Sequence, residues 1–179
     1  MDFQIVTLIN QFWHTSRLDI FSQYISRNWW IVIIRAIVVA LAMIFKKKYR
    51  KFVLFSFVLA GALFYLTSEI GFKTLLVQET GIRPRPYVAH ADIIQPIGNQ
   101  YADSSFPSSH MALTVAMITV LIMLFPAVRP YAILYALLMA WSRIYNGMHY
   151  PSDVLVGSIL WIICGWIGVV LSRRVFRSK

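Results

Sequence analysis

A chain of 179 residues has room for one domain, and 59% of it is apolar with only 13% charged, well beyond the roughly 45–50% apolar share of soluble chains. That balance excludes a soluble globular monomer. The net charge of +10 does not point to nucleic acid, because the cations gather in blocks against apolar runs. Lys46, Lys47, Lys48, Arg50 and Lys51 form one block, and Arg173, Arg174, Arg177 and Lys179 another. Positive charge placed so fixes membrane topology and touches anionic headgroups. The single cysteine, Cys164, excludes an internal disulfide and reads as a small apolar filler.

The opening Met-Asp-Phe-Gln carries no basic leader, so no cleaved signal peptide is expected. In residues 1–28, Phe3, Ile5, Val6, Leu8, Ile9, Phe12 and Trp13 can share one face, with Asp2, His14, Arg17, Asp19 and Arg27 interleaved. This pattern predicts an amphipathic helix lying at the interface, with a possible second short turn; a true sixth span is the alternative. A spanning helix needs about 20 mostly apolar residues. The runs 29–45, 52–76, 108–125 and 153–172 meet that need, and 129–147 does so with Arg143 near its end. The expected fold is an all-α polytopic membrane bundle, five spans plus the N-terminal helix, or six spans. It forms one domain over 1–179, with the bundle at 29–172 and a basic cytoplasmic tail at 173–179.

Arg35 lies inside the first span, where it either snorkels or meets an intramembrane partner. Trp29, Trp30, Trp141, Trp161 and Trp166 read as interface belt or lipid-facing bulk, and Gly157, Gly165 and Gly168 as sites of close helix packing. With five spans, the segment 46–51, Arg129 and the tail fall on one side. They hold ten of the seventeen lysines and arginines, which makes that side cytoplasmic. The 78–107 loop, the Asn146–Ser152 turn and the N-terminus then share the outer face.

Three polar clusters converge on that face: Arg83-Pro84-Arg85-Pro86, Pro107-Ser108-Ser109-His110, and Ser142-Arg143-x5-His149-x3-Asp153. In the last, a cation can hold an oxyanion, an imidazole can attack it and a carboxylate can orient the imidazole. If a helix begins near Tyr150-Pro151, the four-residue spacing lets Asp153 reach back to His149 Nδ1, fixing the tautomer and leaving Nε2 nucleophilic. A polar cap at a helix start is the plainer reading of the same pair. His110 stands at the start of an apolar run, where free N–H groups and the helix dipole suit a phosphate. Glu79, His90, Asp92 and Asp103 in the outer loop read equally as headgroup tuning or as solvated polarity.

Together the clusters resemble the type 2 phosphatidic acid phosphatase superfamily, over about Lys73 to Asp153. The resemblance implies a membrane lipid phosphatase in which His149 attacks phosphorus and forms a phosphohistidine that water hydrolyses. It implies His110 as general acid, Arg85, Arg143 and the Ser108 side chain as phosphate ligands, and Ser109, where the family has glycine, as a backbone donor. Arg83 is secondary, a phosphate or headgroup contact. The family's lysine falls at Gln78 here, and the nearest lysine is Lys73. Five residues along a straight α-helix rotate roughly 140°. Either Val77–Ile82 loops out, helped by Gly81, or Lys73 is not a phosphate ligand and pairs with Glu69.

Lipids of three kinds suit the resemblance: lipid A 1-phosphate, undecaprenyl diphosphate and phosphatidylglycerophosphate. The bilayer and such a lipid are the expected partners, in a multi-pass cytoplasmic (inner) membrane protein with its site on the outer, periplasmic face. No His-x3-His, cysteine pair or acidic cluster occurs, so no metal or other cofactor is expected and turnover should survive a chelator. A non-catalytic lipid-phosphate binding or transport protein is the competing reading. The vanadate-dependent haloperoxidases share the oxyanion site, but they are soluble.

Overall fold

The computed structural model describes residues 1–12, 14–45 and 47–177, and every regular element among them is helical. The chain runs through α1 (Asp2–Phe12), α2 (Ser16–Ser26), α3 (Asn28–Phe45) and α4 (Arg50–Phe64). A π-helical stretch, Tyr65–Leu76, extends α4 into α5 (Val77–Thr80). There follow α6 (Pro86–Ala89), α7 (Ser109–Leu124), α8 (Arg129–Tyr145) and α9 (Pro151–Arg177). The side-chain expectations for Trp13, Trp29, Trp30, Arg35, Lys46, Lys48, Arg177 and Lys179 lie outside the described residues.

Two helical rods, Arg50–Thr80 and Pro151–Phe176, are long and apolar enough to cross a bilayer; Ala36–Phe45 and Ser109–Leu124 are shorter apolar helices. Large apolar side chains, among them Val58, Leu66, Leu134, Leu155 and Ile159, stand more than half exposed on their outward faces. A surface of that kind suits lipid rather than water.

The bundle is built on α4, α7 and α9, with α8 against α7. Glycine sets its tightest approach. A Cβ on Gly165 would lie 2.5 Å from the Ala116 carbonyl oxygen and 2.7 Å from Thr119 Cβ, so α7 and α9 meet backbone to backbone. One buried cluster centres on Trp161, Met139 and Met148, and a second on Val53, Phe57, Val120 and Val169. Trp161 is fully buried, which corrects its reading as belt or lipid-facing bulk. The reason is local: Gly157, one turn earlier, presents only hydrogen where a Cβ would sit 2.9 Å from the indole ring.

The amphipathic region proves to be two helices. Thr15 caps α2 by accepting from the Leu18 N–H at 3.3 Å, which ends the first helix and starts another. Buried polar contacts tie both to the end of α8. Asn10 Nδ2 donates to the Tyr145 carbonyl at 2.7 Å and to that of Gln95 at 2.9 Å; Ser22 Oγ donates to Asn146 Oδ1 at 2.7 Å. The C-terminal end of the 50–80 rod, the start of α7, the end of α8 and the start of α9 thus gather at one end of the molecule. Residues 47–51 at the start of α4, Arg129 at the start of α8 and Arg173 and Arg174 near the end of α9 lie at the opposite ends of those helices.

Candidate active site

His149 sits in the turn between α8 and α9, 2% exposed. Gly147 makes that turn possible, since its φ of +68° suits glycine and a Cβ there would lie 2.7 Å from Ile94 Cγ2. The imidazole is gripped at both nitrogens. Nδ1 lies 2.7 Å from the Ser105 carbonyl oxygen, and Nε2 lies 3.3 Å from Arg85 Nη1. A carbonyl only accepts, so the proton resides on Nδ1 and the lone pair on Nε2. Burial, then the charges of Arg143, Arg85 and His110, hold the ring's pKa well below its ordinary 6.5, only partly opposed by the bond to Ser105. The ring is neutral and the nitrogen that carries its lone pair faces cations.

Asp153 does not do what its spacing predicts. Its Oδ2 is 3.9 Å from His149 Nδ1, beyond hydrogen-bond reach. α9 does begin at Pro151, as expected, but nearer donors occupy the Asp153 carboxylate. Asp153 Oδ2 instead accepts from Ser105 Oγ at 2.5 Å and from the Tyr150 N–H at 2.9 Å, while Oδ1 pairs with Arg83. The carboxylate therefore braces the Ser105 segment whose carbonyl holds the imidazole.

Arg83, expected at phosphate or headgroups, is committed elsewhere. It bridges Asp153 and Asp2 of α1, the latter at 3.1 Å, and lies 4.5 Å over the Tyr150 ring. Its own N–H and carbonyl bond Ser104 Oγ and the Ser105 N–H. An unbroken set of contacts thus runs from Asp2 through Arg83, Asp153 and Ser105 to the imidazole.

Beside His149 lies a compact cavity of about 90 Å³, lined by Lys73, Arg85, Tyr101, Asp103, Ser109, His110 and Arg143. The structure so brings together six of the eight residues expected at the site, Lys73, Arg85, Ser109, His110, Arg143 and His149, with Asp103 of the outer loop beside them. Arg143 is 4% exposed and its Nε is buried with no hydrogen-bond partner. A buried guanidinium left in that state is costly unless an anion completes it. Arg85, equally buried, donates to the Met148 carbonyl at 3.0 Å and to Asp103 Oδ1 at 2.5 Å.

Ser108 departs from its expected role: fully buried, it caps α7 by accepting from the Met111 N–H at 3.5 Å and does not line the cavity. The hydroxyl of Ser109, absent from the family's glycine, donates to Glu69 Oε1 at 2.8 Å. Lys73 reaches the cavity because the rod beneath it is not a straight α-helix. The π-helical stretch alters its register, and Val77–Thr80 stay helical up to the turn at Gly81, φ +81°. Lys73 Nζ pairs with Asp103 at 2.8 Å and lies 3.7 Å from Glu69.

Ser105 is the residue that sequence reasoning missed, and Asp103, read equally as headgroup tuning or solvated polarity, instead ties Lys73 to Arg85. Burial raises the Asp103 pKa, but bonds and charge from Lys73 and Arg85 outweigh it and hold the group ionised below the usual range. The only signal for Asp103 is its place just ahead of Pro107-Ser108-Ser109-His110, on a strand of chain that must pass the site. Ser105 acts through its main chain as much as its side chain, and no sequence signal exists for that.

A helical bundle with an apolar exterior and a buried cationic pocket around a neutral histidine has the character of a membrane protein whose pocket suits an anion. The family model of the PAP2 superfamily matches residues 54–177. Undecaprenyl-diphosphatase BcrC of Bacillus subtilis is 30% identical over 157 residues, 86% of this chain and 75% of that protein. A lipid A 1-phosphatase of Rhizobium johnstonii is 31% identical over 100 residues, 46% of this chain and 41% of its own length. Among solved structures, Aquifex aeolicus LpxE matches with a TM-score of 0.70 at 26% identity, covering 94% of both chains. A transmembrane PAP2-type phosphatidylglycerolphosphate phosphatase of Bacillus subtilis gives 0.71 at 19%, covering 97% of this chain and 85% of that one, a likeness of fold. The chain belongs to the PAP2 superfamily.

Proposed function

We propose that this protein is an integral membrane phosphatase that hydrolyses a phosphate ester or anhydride on a lipid, through a phosphohistidine on His149. The observation that carries the reading is the pairing of a buried, incompletely bonded Arg143 with a neutral histidine whose Nε2 faces the same cavity. Phosphate binding alone would not need an imidazole with its tautomer fixed.

In the proposed cycle the transferred phosphoryl group enters the cavity and takes over the Arg85 and Arg143 guanidiniums, with Lys73 as a third cation. Ser108 caps α7, and the Ser109 amide at the helix start is the proposed main-chain donor to a phosphoryl oxygen. Arg85 Nη1 yields its contact with Nε2 to phosphorus. His149 Nε2 then forms the N–P bond as the bond to the leaving oxygen breaks, and His110 gives that oxygen its proton. Water, losing a proton to His110, cleaves the N–P bond and frees inorganic phosphate. Ser105 and Asp153 keep the ring in place throughout.

A lipid substrate is supported by an apolar groove of about 390 Å³ between α7, α8 and α9, which starts at Met111 and Pro151 beside the site and runs to Ile122 and Ile162. Undecaprenyl diphosphate is the substrate favoured by the breadth of the match to the Bacillus relative, and lipid A 1-phosphate by the match to the Rhizobium one. We place the spans at 29–45, 52–76, 108–125, 129–147 and 153–172 in the inner membrane, basic segments in the cytoplasm and the site outside. The site loops at one end and the basic segments at the other support that orientation.

The test is phosphate release by protein purified in detergent with EDTA present, wild type against His149→Ala, on these two lipids, phosphatidylglycerophosphate and phosphatidic acid. Release abolished by the substitution is expected. No release from any lipid by folded wild type would favour a binding or transport protein instead.

A further inference from the structure

A second, larger polar cavity, about 270 Å³, lies next to the first, between the end of α2 and the segments around Gly98 and Met148. Tyr101 and Arg143 line both cavities, so the two share a wall. The larger one adds a second cation, Arg27, at the end of α2, together with the amides of Gln23 and Asn99. None of its lining residues is acidic. Two guanidiniums without a carboxylate between them favour an anion over a neutral sugar or glycerol. Arg143, whose Nε is buried without a hydrogen-bond partner, stands in the shared wall, within reach of a group at His149 and of one seated in the larger cavity. Size agrees, since the cavity at His149 suits a single phosphoryl group and leaves the rest of a headgroup to be seated elsewhere.

We infer that the Arg27 cavity is a subsite for a second phosphate on the substrate's headgroup, so that the protein selects lipids bearing two phosphates over those bearing one. The inference rests on the proposed phosphatase reading, with the transferred phosphoryl group at His149. The second phosphate comes from one of two sources: an anhydride partner directly bonded to the first, or a phosphate carried across a short spacer. Arg27 is exposed and does not line the cavity at His149, so its substitution should leave the chemistry intact.

The experiment compares wild type, Arg27→Gln and Arg27→Lys on phosphatidic acid, undecaprenyl diphosphate and phosphatidylglycerophosphate, with orthovanadate inhibition measured alongside. Arg27→Gln should raise KM about tenfold for a two-phosphate lipid, equivalent to ~1.4 kcal/mol, with kcat kept. KM for phosphatidic acid and inhibition by orthovanadate should stay within about twofold, and Arg27→Lys should recover most of the loss. A selective rise for the diphosphate alone assigns the anhydride source, and one for phosphatidylglycerophosphate alone the spacer. An equal rise for phosphatidic acid, or no rise for either two-phosphate lipid, overturns the inference. Should wild type release no phosphate at all, the phosphatase reading fails by itself. The subsite is then read from thermal stabilisation by inorganic pyrophosphate and glycerol 1,3-bisphosphate relative to phosphate. Loss of that preference in Arg27→Gln supports it, and an unchanged or absent preference overturns it.

Discussion

Replacing Asp153 with asparagine keeps the side chain's shape and removes its charge. The distances distinguish two ways the carboxylate might serve His149. If it held Nδ1 itself, the amide would leave the wrong tautomer, at a cost of about 10⁴-fold in kcat. Here the Ser105 carbonyl holds Nδ1 at 2.7 Å and Asp153 stands off at 3.9 Å, so the tautomer survives. What is lost is attraction for the positive charge that would grow on the ring in the proposed attack by Nε2. At 3.9 Å and an effective dielectric near 20, a full charge would be worth about 4 kcal/mol. Half-developed charge brings that to ~2 kcal/mol, and Arg83, paired with the same carboxylate, reduces it further. A fall in kcat of about 10- to 30-fold is expected, with KM little changed. Steady-state phosphate release by detergent-purified protein measures it, with a thermal melt to establish folding. A folded variant that loses 10³-fold or more would refute the reasoning and restore Asp153 as the direct partner of the imidazole.

Arg143→Lys should lower kcat/KM by about 10²- to 10³-fold and weaken orthovanadate inhibition, because an ammonium cannot reproduce a two-pronged guanidinium contact. Retained inhibition would remove Arg143 from the oxyanion site. Gly165→Ala should cost about 1–3 kcal/mol of stability by forcing α7 from α9, whereas Gly61→Ala, with nothing within 4 Å of its added Cβ, should be neutral or slightly stabilising. Paired melts in detergent compare them. His149 gives a pH signature: its folded pKa lies well below 6.5, so acid favours the unfolded chain. The stability tied to keeping the ring neutral is whole above pH 6.5 and is lost below it, by up to about 1.4 kcal/mol per unit, until the folded pKa is reached. His149→Asn should flatten the fall in stability between pH 7 and 5, and parallel curves for the two proteins would contradict the assignment.

The helices were legible because apolar runs announce themselves, and the site because three polar clusters interrupt those runs at one end. What was not legible depended on local departures from regular geometry. The helix start at Pro151 agrees with what the spacing of His149 and Asp153 assumed, but nothing in that spacing shows that Ser105 and Arg83, both from the 78–107 loop, take the carboxylate instead. Lys73 looked misplaced because a straight α-helix was assumed where the chain is π-helical. The second N-terminal helix had a signal in Thr15, a capping residue just ahead of Ser16–Ser26. Burial of Trp161 had one in Gly157, four residues earlier, though only the packed structure gives it meaning. Asp103 carried no periodicity, and loops keep their purposes hidden until their ends are placed.

The closest partner of the His149 ring is a main-chain oxygen, and this sets what mutation can reach. Every residue that might replace Ser105 brings the same carbonyl, so an alanine scan would pass over the contact without registering it. Deleting the Ser105 hydroxyl would remove the brace to Asp153 and leave the acceptor itself. Only a change in the path of the chain can take it away: a residue inserted or removed between Asp103 and Pro107 would carry the oxygen off the ring. For this site the length of one short loop is under tighter constraint than its composition.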